Sequence, residues 1–114
     1  MAEECPINME AALKRIEGDE ELFKIIFDTF LDEYPEEIKK LSHYISSGNY
    51  QELERTAHRT KGAVSAIGAE KARELFVVLE NMGKEKNLNS ADQVMEEIRK
   101  ELRKIKEWAC TAFM

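Results

Sequence analysis

The sequence predicts an all-α chain, an antiparallel up-down four-helix bundle with a short extra helix at its N-terminus. Three observations predict it. Apolar residues recur at three- and four-residue spacing along most of the chain, the period of an amphipathic helix. Only two prolines occur, and no stretch alternates polar and apolar residues long enough for a strand. The connections between periodic segments are short, which suits antiparallel neighbours.

Asn8 can cap the short first helix, whose apolar side carries Met9, Leu13 and Ile16 and which Gly18 can end. Asp19 opens the second helix, with Glu20 and Glu21 in the first turn, where negative charge suits the helix dipole. Its apolar side holds Leu22, Phe23, Ile26, Phe27, Phe30 and Tyr34. Pro35 could start a new helix or kink a long one. Because Ile38, Leu41 and Ile45 continue the pattern, one kinked helix over 20–47 is favoured, ending at Ser46-Ser47-Gly48. Asn49 with Glu52 resembles a capping box for the next helix, whose stripe is Leu53, Ala57, Thr60, Val64 and Ile67. Gly68 makes the turn. The following helix packs Ala72, Leu75, Phe76, Leu79 and Met82, with Glu80 on its surface, and loosens over 83–87. Ser90 and Gln93 form another capping box, opening a last helix with Val94, Ile98, Leu102, Ile105 and Ala109 inward.

The 114 residues suit one domain, over 7–109, with a tail at 1–6 and a C-terminal end at 110–114. A chain of this size can bury roughly 65% of its unfolded surface. Hydrophobic residues make up 43% and charged residues 35%, an ordinary soluble balance. The formal net charge of −6 argues against a nucleic-acid partner, which would require a basic stripe. No apolar run approaches the roughly 20 residues of a membrane span. The N-terminus lacks the basic and apolar regions of a secretory signal. Cys5 and Cys110, at opposite ends, make neither a disulfide framework nor a four-ligand zinc site. A reduced, cytoplasmic monomer with no bound cofactor or metal is therefore expected. The end from Trp108 to Met114 is apolar enough to be a packed last turn, a dimer contact or a cut edge.

His58 is the most informative residue. Lys61 and Gly62 follow it by three and four positions, so all three share one helix face. At about 100° per residue, the 53/57/60/64/67 stripe sets the buried direction, and His58 lies roughly 140° from it, with Lys61, Gly62 and Ser65 on the same exposed flank. The imidazole should be wet and largely neutral near pH 7, leaving a nitrogen lone pair able to attack phosphorus. No general base within the chain is needed. A solvent-facing histidine alone is more often inert, and His43, off its stripe and without matching neighbours, is assigned no role. Lys61 can neutralise part of a phosphoryl charge; its plainer reading is a solvated lysine. Gly62 needs a reason, since glycine within a helix costs about 1 kcal/mol relative to alanine. Lying opposite the core stripe, it suits a partner's close approach better than an internal helix. Arg55, Glu54 and Ser65 flank the site and could touch a docked protein, although a solvated face explains them equally. Arg59 points elsewhere as a surface charge.

The run Ala57-His58-Arg59-Thr60-Lys61-Gly62-Ala63-Val64-Ser65-Ala66-Ile67-Gly68-Ala69 resembles the signature of histidine-containing phosphotransfer (HPt) domains, His-x-x-Lys-Gly followed by small residues and Ile-Gly-Ala. The similarity extends from about Ile7 to Trp108, and Gly18-Asp19-Glu20-Glu21-Leu22 also looks like the start of many bacterial members. The resemblance implies that His58 is phosphorylated, through Nε2, that Lys61 assists electrostatically, and that Gly62 leaves room for the donor. It further implies response-regulator receiver domains as partners, each carrying an aspartyl phosphate and Mg²⁺, so that metal chemistry belongs to the partner. Thr60 and Val64 depart from the family's usual larger apolar and small residues; both fall on the core stripe, which puts packing in question rather than chemistry. No Gly-rich nucleotide loop occurs, so the chain is no kinase. Two other readings stand beside this one: a docking module that no longer transfers phosphate, and a phosphoacceptor domain served directly by a histidine kinase. A metal-binding bundle is weaker, because Glu54 and Glu101 lack the inward-facing Glu-x-x-His partner it requires.

Overall fold

Asn8 accepts a hydrogen bond from the Ala11 amide through its side chain (3.0 Å) and so opens α1, Met9–Arg15, in a computed structural model that describes residues 6–112. Four longer helices follow: α2 Glu20–Ser47, α3 Tyr50–Ala66, α4 Glu70–Glu85 and α5 Ala91–Ala112. The described residues form no strand. Residues 1–5, with Cys5, and residues 113–114 lie outside the described part, so the tail and the last two positions of the expected end are not placed.

Helix starts follow the sequence closely. The Asp19 side chain accepts from the Leu22 amide (3.0 Å) and the Asn49 side chain from the Glu52 amide (3.3 Å), each satisfying a donor that the first turn leaves free. The second half of the expected Asn49 box is diverted, because the Glu52 carboxylate pairs instead with Arg55 one turn on (3.1 Å). α2 runs unbroken through Pro35. It stops at Gly48, whose left-handed backbone (φ 68°) costs glycine nothing.

Gly18 closes α1 as expected, its amide returning to the Leu13 carbonyl (2.8 Å) just beyond the last helical residue, Arg15. One boundary differs from expectation. α4 does not loosen at Gly83: it continues to Glu85 and ends on Lys86 in the left-handed region. Gly83 is buried against α3, and that packing holds the last turn of α4 in place where composition alone suggested a loop.

The core joins every helix. Phe23, Phe27, Phe30 and Leu41 of α2 meet the expected α3 stripe, in which Leu53, Ala57, Thr60 and Val64 are all buried, together with Ile67 just beyond it. Ala72, Phe76 and Leu79 of α4 and Val94, Ile98, Leu102, Ile105 and Ala109 of α5 complete it. Thr60 keeps its hydroxyl satisfied inside this core by donating to the Thr56 carbonyl (2.9 Å), so the departure at that position is accommodated within α3. Trp108, half-buried, sets its ring edge-on to Phe27 with centroids 5.5 Å apart, so the C-terminal end begins as a packed turn. α1 is tied to the far end of α3, since Asn8 donates its amide to the Gly68 carbonyl (2.8 Å) and Arg15 reaches the Ser65 carbonyl (2.7 Å). Among the described residues no helix is long and apolar enough to cross a membrane.

Candidate functional site

His58 projects from the middle of α3 with its side chain 67% exposed, as its angle from the stripe requires. Its ring is not loose. Nδ1 lies 2.8 Å from Oε2 of Glu80, on α4. An ionised carboxylate can only accept hydrogen bonds, so Nδ1 carries the proton and donates, and the lone pair of the neutral ring resides on Nε2. The assignment of the proton follows from the partner's chemistry, as hydrogen positions do.

Glu80 overturns its sequence reading. Expected on the surface, its side chain is only 8% exposed, and Lys61 donates to its Oε1 at 2.8 Å. Lys84, one turn further along α4, stands 3.9 Å from Oε2. Burial by itself pushes the Glu80 carboxyl up, but the hydrogen bonds from Lys61 and His58, together with the positive charge of Lys61, outweigh it and hold the group below its ordinary value of 4.5. Glu80 is therefore a fixed anion at neutral pH. The signal for its position was available: Glu80 follows Phe76 by four and precedes Gly83 by three, so it falls on the apolar stripe of α4.

Lys61 shares the face of His58 as expected, yet its side chain is only 23% exposed and its ammonium is turned onto Glu80. Gly62 is exposed, and among the described residues a β-carbon built there would meet nothing within 4 Å, so no described helix packs against it. Ser65 is half-buried and contributes its carbonyl to Arg15 and to the Gly68 amide, structural bonds that close the end of α3. Arg55 is exposed and paired with Glu52 (3.1 Å). Glu54 is half-buried beside Gly83. Arg59, read as a lone surface charge, makes a two-pronged contact with Glu37 of α2, 3.1 Å to each oxygen. His43 is exposed and lies against Tyr44 on α2.

A shallow hollow of about 490 Å³ opens beside the imidazole, walled by Gln51, Glu54, Arg55, His58, Glu80 and Lys84. Its lining residues Gln51, Glu80 and Lys84 were missed from sequence, as was the close crossing of Gly83 on Glu54. No group of three His, Cys, Asp or Glu side chains among the described residues is arranged to hold a metal. Glu101, buried on α5, instead faces Lys104 (3.2 Å) and Lys71 (3.7 Å).

The site is thus an exposed imidazole oriented by a buried carboxylate across the α3–α4 pair, beside an open hollow. Residues 26–108 match the sequence model of the Hpt domain, and the chain belongs to that family, which places it in two-component phosphotransfer signalling alongside receiver domains. The chain is also similar to the crystal structure of histidine-containing phosphotransfer protein B (HptB) from Pseudomonas aeruginosa PAO1. That likeness has a TM-score of 0.79 at 24% identity and covers 88% of this chain and 87% of that one, a likeness of fold. No curated protein gave a match.

Proposed function

We propose that this chain accepts a phosphoryl group on Nε2 of His58 from the aspartyl phosphate of a receiver domain and returns it to another receiver's aspartate. The observation that carries the reading is the 2.8 Å bond between His58 Nδ1 and the buried Glu80 carboxylate, which leaves Nε2 as the exposed lone-pair nitrogen. Nε2 attacks phosphorus in line; the bond from phosphorus to the aspartate oxygen breaks, and its electron pair leaves on the carboxylate. Nδ1 keeps its proton throughout, so no general base is required. The ring becomes a phosphoimidazolium, and its new positive charge faces Glu80, an anion already in place before the reaction. In reverse the neutral imidazole is the leaving group. Catalysis of this kind rests on positioning and charge, with Mg²⁺ supplied by the receiver.

The docking face centres on Gly62, where the donor can approach closely, with Ser65, Arg55 and Glu54 at its margin. The four long helices form an antiparallel up-down bundle behind it. The pairs Glu54–Gly83 and His58–Glu80 run in opposite sequence directions on α3 and α4, as do Ser42–Arg99 and Phe27–Trp108 on α2 and α5, which supports that arrangement. The chain acts as a cytoplasmic monomer, since the one broad apolar face of each helix is consumed internally.

The test is transfer from a panel of phosphorylated, Mg²⁺-loaded receiver domains to the wild-type chain and to His58→Gln. Acid-labile, base-stable label on the wild type alone is expected. Label retained by His58→Gln overturns the site, and absence of label from every receiver, followed by labelling from a histidine kinase with ATP, replaces the receiver with a kinase as donor.

A further inference from the structure

The two lysines around Glu80 are held differently. Lys61 donates to Oε1 at 2.8 Å and is largely covered, a committed hydrogen bond. Lys84 stands 3.9 Å from Oε2, outside hydrogen-bond reach, and its side chain is 54% exposed. Lys84, unlike Lys61, lines the hollow into which the imidazole opens, and the other cation there, Arg55, is engaged with Glu52.

Phosphorylation changes the charges around this arrangement. Before transfer, Glu80 is an anion facing Lys61, a neutral imidazole and Lys84. Afterwards the ring carries a positive charge bonded to the same carboxylate oxygen that Lys84 approaches. Glu80 is then neutralised by Lys61 and by the imidazolium, and the attraction holding Lys84 near it falls. At the same time a phosphoryl group with roughly two negative charges appears within reach of a flexible lysine stem. Both changes act in one direction.

We propose that Lys84 is the catalytic cation of this site: it leaves Glu80 and pairs with the phosphoryl oxygens on His58, while Lys61 is a positioning residue that holds Glu80. This rests on the assignment of His58 as the phosphoacceptor and reverses the role that the family resemblance implies for Lys61.

The experiment labels His58 with phosphoramidate, a small phosphoryl donor that needs no receiver, in the wild type, Lys84→Ala, Lys84→Arg and Lys61→Ala. The phosphorus resonance is followed through the second ionisation of the phosphoryl group. A nearby cation favours the dianion, so Lys84→Ala should raise the titration midpoint by about one pH unit, and Lys84→Arg should restore it. Lys61→Ala should leave the midpoint in place but disturb the ¹⁵N shifts of the unphosphorylated ring, which Lys84→Ala should not. With a competent receiver, Lys84→Ala should slow transfer about tenfold, equivalent to about 1.4 kcal/mol of barrier. Identical midpoints in wild type and Lys84→Ala, or a rise in Lys61→Ala alone, overturn the proposal while leaving His58 as phosphoacceptor. A wild-type chain labelled by neither phosphoramidate nor any receiver overturns both.

Discussion

Gly83 of α4 and Glu54 of α3 approach so closely that a β-carbon on the glycine would stand 2.9 Å from the Glu54 backbone nitrogen. Its Tyr50 carbonyl neighbour would be 3.0 Å away, so the obstruction is backbone and cannot swing aside. One helical turn along the same pair of helices, His58 meets Glu80 at 2.8 Å. The missing side chain at Gly83 thus sets the interhelical distance across which that bond forms.

Gly83→Ala should part the two helices at this crossing. Overpacking costs about 1–3 kcal/mol. Alanine's better helix propensity returns about 1 kcal/mol, so a net loss of up to roughly 2 kcal/mol is expected. Urea unfolding measures the loss, and the ¹⁵N shifts of His58 report whether the ring still holds its proton on Nδ1. A variant with wild-type stability and unchanged shifts would mean that the helices close around the added methyl.

Glu80→Gln should remove an acid-sensitive part of the stability. A carboxyl whose folded value lies below 4.5 stabilises the fold above that pH, and the contribution disappears as pH falls through the folded value. The wild type should therefore lose stability on acidification more steeply than the variant, with the two curves converging at the acid end. Glutamine can also donate to Nδ1, so the variant's ring should populate both tautomers. Parallel stability curves across the acid range would show that Glu80 is not held as an anion by the fold.

How far the site could be read from the chain follows from this geometry. The α3 stripe was legible because helical periodicity needs no knowledge of partners, and it placed His58 on the wet side correctly. The continuity of α2 across Pro35 followed equally from the unbroken apolar pattern on either side. Glu80 and Gly83 were not legible in the same way, since each takes its meaning from α3, 22 residues away in the case of the His58–Glu80 bond. A carboxylate on an apolar stripe and a glycine before a charged run look like surface and loop until the neighbouring helix is in place. Position on the face was determined locally; the partner was determined by packing.

Arg59 adjoins His58 in sequence, but its guanidinium is spent on Glu37 of α2. Arg59→Ala should therefore leave phosphoramidate labelling of His58 unchanged. It should cost about 1 kcal/mol or less, because the Arg59 side chain is more than half exposed and its attraction to Glu37 is screened by solvent. Slower labelling in this variant would place Arg59 in the electrostatics of the imidazole, where the geometry does not put it.

Gly62 separates docking from folding. Among the described residues an added β-carbon meets no packing neighbour within 4 Å, so no described contact explains a glycine there. Gly62→Ala should stabilise the chain by up to about 1 kcal/mol through helix propensity alone. Gly62→Gln should remain at least as stable as the wild type, and phosphoramidate should label its His58 normally. Transfer from a receiver domain should nevertheless fall sharply, because the longer side chain stands where the donor's backbone must come within reach of Nε2. The contrast between the two donors is the decisive readout. Equal loss with both would mean that the glutamine disturbs the imidazole itself, and undiminished receiver transfer would remove close approach as the reason for glycine at this position.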